Sequence, residues 1–214
     1  DRLKEVLEDT SSLMILLGAE MLEEDYLLFK GYKGHIVLLD GWSEDMGFDA
    51  VMINNTDSVC HAMEYLVEKG HKEIGYLRGN YRIKAFRYRE YGYIRVLEKH
   101  GLPIREEYQV TIGTQLESAY EDMKRYLESS PKLATAYFAD NDIIAIGAMR
   151  ALQEKGVRIP EDVSIIGFDD IPFSVVPHPE LTTIHVFKQD MGETAVRRAL
   201  DYIRYPGRRE KMKI

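Results

Sequence analysis

The chain holds a single cysteine, Cys60, among 214 residues. One thiol excludes a disulfide framework and any cysteine-based zinc site, and it points to a reducing compartment. Positive charge is also short. Against 36 Asp and Glu stand only 28 Lys and Arg, for a formal net charge of −8. Gripping nucleic acid needs a basic face, so the chain is not expected to bind DNA by itself. No apolar run approaches the ~18 residues of a membrane span, which predicts a soluble chain with no membrane partner. No internal repeat, low-complexity stretch or Pro/Gly/Ser-rich linker interrupts the sequence. There is no G-x-G-x-x-G, Walker A, G-x-S-x-G or H-E-x-x-H motif, so dinucleotide, triphosphate, hydrolase and zincin chemistry lack their usual signatures.

What is present is ordinary globular material. Hydrophobic residues make up 45% and charged residues 30%, enough to bury a core and to exclude disorder. Short apolar runs predict strands at Leu13–Leu17, Ile36–Leu39, Val51–Ile53, Ile74–Leu77, Ala134–Phe138, Val163–Ile166 and Leu181–Val186. Several lack alternation, as strands buried on both faces do. Helical spacing marks Asp57–Lys69 through Val59, Ala62, Met63, Leu66 and Val67. The same spacing marks Asn141–Lys155 through Ile144, Ala148, Ala151 and Leu152. Asn141 or Asp142 is the expected cap of the second helix. Three helix ends share one stop signal, Lys69-Gly70, His100-Gly101 and Lys155-Gly156, since glycine suits the left-handed position past a helix. Strand–helix–strand alternation implies an α/β fold with parallel sheets and helices on both faces.

In such sheets ligands bind outside the carboxyl ends of the strands. Three of those ends are rich in short carboxylates and amides: Asn54–Asp57, Asp140–Asp142 and Asp169-Asp170. That composition suits a small ligand with many hydroxyls. Trp42, the sole tryptophan, either stacks on a sugar ring or covers the sheet edge. Asp140-Asn141-Asp142 has the form of a metal-holding D-x-D, with helix capping as the plainer reading. His61 and Glu64 are two residues short of a metal site. Asp169-Asp170 are adjacent on an extended chain, so one is expected to bind and the other to support the loop.

Read together, several phrases resemble the effector-binding domain of LacI/GalR-family bacterial transcription regulators. They are Leu66–Leu77 (LVEKGHKEIGYL), Arg89–Tyr93 (REYGY), Asn141–Ala148 (NDIIAIGA), Ile159–Asp170 (IPEDVSIIGFDD) and Pro179–Ile184 (PELTTI), with Met191-Gly192 opening the last helix. The resemblance implies two Rossmann-like lobes of periplasmic-binding-protein type I, with effector held in the cleft between them. It implies a first lobe over about 1–79, completed by about 186–206, and a second over 80–185, to which 207–214 return. It implies ligand contacts at Arg89, Asn141, Asp169 and, on the first lobe, Asp57, with Trp42 as a stacking candidate. For Arg89 the plainer role is a salt bridge to Glu90 or Asp169.

The resemblance also implies a non-enzymatic sensor without cofactor or metal. It would be cytoplasmic and homodimeric, with a small effector, a sugar by the polar strand ends. Operator DNA would be met only through an N-terminal helix-turn-helix that these residues do not include. The first strands and helices of the first lobe are absent too, and residue 1 is read as part of a helix leading to Leu13. Rival readings are a sugar-transport solute-binding protein, a sugar-transferring enzyme using Asp140 and Asp142, and a lobe serving only dimerisation.

Overall fold

The computed structural model describes residues 7, 13–44, 46–81, 83–205 and 210–214. The helix expected between residue 1 and Leu13 therefore lies outside the described residues, apart from Leu7. The chain forms two compact units, 1–54 with 187–214, and 55–186. Among the described residues no helix is long and apolar enough to cross a membrane.

The first unit carries a four-stranded parallel sheet. Its strands are β1 (Leu13–Leu17), β2 (His35–Leu39), β3 (Asp49–Met52) and β9 (Lys211–Lys213), in the order β1-β2-β3-β9. A short helix, α1 (Glu23–Tyr26), follows β1, and the long last helix α6 (Lys188–Arg204) packs on the sheet. Tyr26, Phe29, Ile36, Leu38 and Ala50 make this unit's core. A buried polar group ties its ends together. Asp49, fully buried, accepts from Arg198 Nε at 3.1 Å and from the Glu210 backbone N–H at 2.5 Å. The His35 ring lies flat on Tyr202 at 3.5 Å.

The second unit carries five parallel strands: β4 (Ile74–Gly79), β5 (Gln109–Ile112), β6 (Ala136–Ala139), β7 (Ser164–Asp169) and β8 (Thr182–His185). Their spatial order is β5-β4-β6-β7-β8, the doubly wound arrangement with a switch point between β4 and β6. Helix α2 (Asn55–Glu68) packs on α3 (Lys84–Lys99), and α4 (Leu116–Glu128) packs on α5 (Asp142–Glu154). Alternation along the strands divides the core. Leu77, Tyr137, Ala139 and Ile165 join the cluster built with α4 and α5. Tyr76 instead stacks on Phe138 and on Tyr93 of α3, at 5.7 and 5.0 Å.

The three glycine-ended helices close alike. Gly70, Gly101 and Gly156 have φ of 93°, 62° and 80°. In each, the residue after the glycine reaches back to the helix: His71 to Leu66, Leu102 to Leu97, and Val157 to Leu152, at 2.8–3.1 Å. This is the Schellman closure, which satisfies carbonyls otherwise orphaned at a helix end. The His71 backbone N–H is thereby part of the turn that ends its helix.

Two boundaries differ from the expected ones. The first lobe was expected to run to residue 79. In the structure β4 is a central strand of the second sheet and α2 packs on α3, so the division falls at Asn54/Asn55. Residues 207–214 were expected to return to the second lobe. Of the described part, Lys211–Lys213 instead pair with β3 of the first unit. Pairing partners decide both points, and a local apolar pattern does not encode them.

Candidate functional site

The switch point of the second sheet lies where β4 and β6 end, at Gly79 and Ala139. Asp140 follows immediately and is fully buried. It accepts from the Tyr76 hydroxyl at 2.5 Å and from the Gly79 backbone N–H at 2.7 Å. Burial pushes its carboxyl up to about 6, against the lowering pull of those two donors and of Arg89.

Arg89, on the second turn of α3, is 4% exposed. Its Nε donates to Asn55 Oδ1 at 2.8 Å, Nη1 donates to the Asp140 carbonyl, and Nη2 donates to Asp169 Oδ1 at 3.3 Å. Its guanidinium lies over the Phe168 ring at 3.6 Å. A buried cation is expensive unless paired and hydrogen-bonded, and residues from three separate stretches, Asn55, Asp140 and Phe168-Asp169, supply that support. The three bonds use three of its five N–H groups.

Of the two alternatives for an Arg89 ion pair, the structure selects Asp169. Glu90 pairs with Arg78 instead. Asp169 reaches Arg89 from an unusual backbone: φ is 106° at Asp169 and 46° at Asp170. Left-handed residues other than glycine cost free energy and cluster where function needs them.

Asn141 caps α5, its Oδ1 accepting from the Ile144 backbone N–H at 3.0 Å. The cap uses the oxygen and leaves the amide N–H groups out of that bond. The D-x-D reading meets an obstacle, since both carboxylates are taken by protein donors. Asp140 serves Tyr76 and Gly79, while Asp142 serves Thr183 and the Ile171 backbone. Among the described residues no three His, Cys, Asp or Glu side chains gather as a metal set.

Asp57 is placed differently from the expectation. It sits in the first turn of α2, in the second unit rather than the first, with its carboxylate 3.5 Å from Arg95 of α3. Trp42 belongs to the first unit, where the Lys211 ammonium lies 4.9 Å from its ring centre. The structure thus groups Arg89, Asp169 and the Asp140-Asn141 segment. It adds Asn55 and Phe168, which the sequence placed near strand ends without assigning them a role, and Asp140, which the sequence offered only as part of a D-x-D. Nothing in the sequence pattern paired Asn55 with Arg89, 34 residues away.

Comparison with known proteins agrees with this fold. Residues 63–214 match the periplasmic binding protein-like domain. The chain is 34% identical over 191 residues to the HTH-type transcriptional repressor PurR of Actinobacillus pleuropneumoniae serotype 3 (strain JL03), covering 89% of this chain and 56% of that protein. It is 38% identical over 149 residues to the probable HTH-type transcriptional repressor ExuR of Bacillus subtilis (strain 168), covering 70% and 44%. The chain spans about half the length of these relatives. Among solved structures, the transcriptional regulator CelR in complex with cellobiose matches all of this chain and 66% of its own, with a TM-score of 0.86 at 22% identity, a likeness of fold. The chain belongs to the LacI family of transcriptional regulators, as a periplasmic binding protein-like domain.

Proposed function

We propose that this chain is the effector-sensing part of a LacI-type repressor, and that a small neutral sugar binds beside Arg89. The carrying observation is the guanidinium of Arg89, 4% exposed and fixed by Asn55, Asp140 and Asp169 at the sheet's switch point. Such a group is dear to bury and is well set to donate to ligand hydroxyls, with the Asn141 amide and the Asp169 carboxylate as further contacts. Neutrality is supported by Arg78, a nearby cation committed to Glu90. Asp57 and Trp42 remain secondary candidates.

In this reading the ligand favours one of two states of the regulator and so changes operator affinity through a DNA-reading part outside these residues. A coupling free energy of ~1–3 kcal/mol shifts affinity about five- to 150-fold. The protein acts as a homodimer, without catalysis or cofactor. The apolar side chains of Phe173, Val175 and Val176, each more than half exposed, support a protein partner on the second unit. Relatives named as repressors favour regulation over transport.

A thermal-shift screen over neutral sugars, sugar phosphates and purines tests the ligand class. A sugar at about 100 times its Kd is expected to add ~2.7 kcal/mol of stability. Calorimetry with Arg89→Lys, which keeps the charge but loses the fork, is expected to show at least tenfold weaker binding. No thermal response to any compound, or unchanged affinity in the variant, would overturn the proposal.

A further inference from the structure

The phrases GFDD, NDII and PELTTI are far apart in sequence, and around Asp142 they form one device. Asp142, the first residue of α5, is fully buried. Its Oδ1 accepts from the Thr183 hydroxyl at 2.5 Å, and its Oδ2 accepts from the Ile171 backbone N–H at 2.9 Å. The pairing of β7 with β8 sets Thr183 directly opposite Gly167. A Cβ on Gly167 would come within 2.3 Å of Asp142 Oδ1, so only glycine there leaves room for the carboxylate. Thr183 Oγ1 in turn accepts from the Asp170 backbone N–H at 3.3 Å. Asp170 closes the loop: its Oδ1 accepts from the buried Ser174 hydroxyl at 3.2 Å and its Oδ2 lies 2.6 Å from His185 Nδ1.

These bonds enclose Asp169 and Asp170, the two consecutive residues with left-handed backbone. We infer that Asp142 is a positioning residue. Through Thr183 and the Ile171 backbone it holds the Asp169–Asp170 turn in its left-handed form and so aims the Asp169 carboxylate at Arg89. Two successive aspartates with positive φ would relax toward extended backbone without such restraint. Relaxation would swing the Asp169 carboxylate off the guanidinium. Asp142 touches no ligand in this scheme; it makes the ligand-facing pair ready in advance, which lowers the ordering cost of binding. The significance for sensing rests on Arg89 and Asp169 being ligand contacts, as proposed above.

The test uses the intact 214-residue chain with no ligand added, so its outcome is read independently of the thermal-shift screen. Backbone 13Cα and 13Cβ shifts and 3J(HN–Hα) couplings report φ at Asp169 and Asp170, and the Nε–Hε resonance reports the Arg89 environment. Asp142→Ala and Thr183→Ala are expected to abolish the left-handed signature at both aspartates and to displace the Arg89 resonance. Thr183→Ser, which keeps the hydroxyl, is expected to restore both. Should Asp142→Ala fail to fold, the Thr183 pair decides alone. Wild-type couplings and Arg89 resonance in Thr183→Ala, with only a lowered melting temperature, would reduce this network to fold support and overturn the assignment.

Discussion

Asp140 is a fully buried acid at the switch point of the second unit. Burial lifts its carboxyl to about 6 in the folded chain, above the unfolded value of ~3.9. The folded state therefore holds this proton more tightly than the unfolded state. The stability it contributes is complete below about pH 4 and is lost as pH rises through about 6. The swing is on the order of 3 kcal/mol for a group so enclosed. Urea unfolding of wild type and Asp140→Asn at pH 4.5 and pH 7 should show the wild type gaining on the variant at the lower pH; parallel curves would refute it. Asp162 works in the opposite sense. Arg158 holds it at about 2, so its contribution fades only below about pH 4. Removing the Tyr76 hydroxyl is a sharper probe. Tyr76→Phe leaves Asp140 one donor short and is expected to cost about 1–3 kcal/mol, with the Asp140 carbon resonance titrating at still higher pH.

Asn141 and Gly156, at opposite ends of α5, separate folding from binding at the scale of the element. Asn141 both caps the helix and is proposed to meet ligand, and two substitutions divide these roles. Asn141→Ser keeps a capping oxygen, so stability should stay near wild type while ligand affinity falls. Asn141→Ala should lose ~1 kcal/mol of stability besides. Equal affinity in Asn141→Ser and wild type would leave Asn141 with the cap alone. At the far end, Gly156→Ala forces a Cβ into φ of 80°. It is expected to lower stability by about 1 kcal/mol with affinity unchanged.

Chain continuity distinguishes the two units. The second is one uninterrupted segment, 55–186, with five strands and its own apolar cluster, whereas the first draws on two segments. A polypeptide of residues 55–186 is expected to fold alone with a single cooperative urea transition. A non-cooperative or aggregating product would show that it needs the rest of the chain. With a net charge of −8, the intact chain should also leave operator-length DNA unshifted in a gel at 0.1 M salt.

The sequence by itself determined the strand–helix rhythm, because apolar periodicity and glycine stops are local physics. β1 spans Leu13–Leu17 as read, and α5 begins one residue after its expected start. β5 escaped notice for the same local reason, and the return of the last residues was read from the family resemblance, not from their own pattern. Gln-Val-Thr-Ile and Lys-Met-Lys carry too few apolar residues to register as buried strands. The family was legible too. Only the tertiary structure decided which sheet receives β4 and the last strand, since partner choice depends on contacts between distant segments. It alone set Asn55 and Asp140 against Arg89, moved Asp57 to the second unit, and gave Gly167, Asp142 and Thr183 a common purpose. Those relations are made of hydrogen bonds and close approach in space, which no one-dimensional pattern carries.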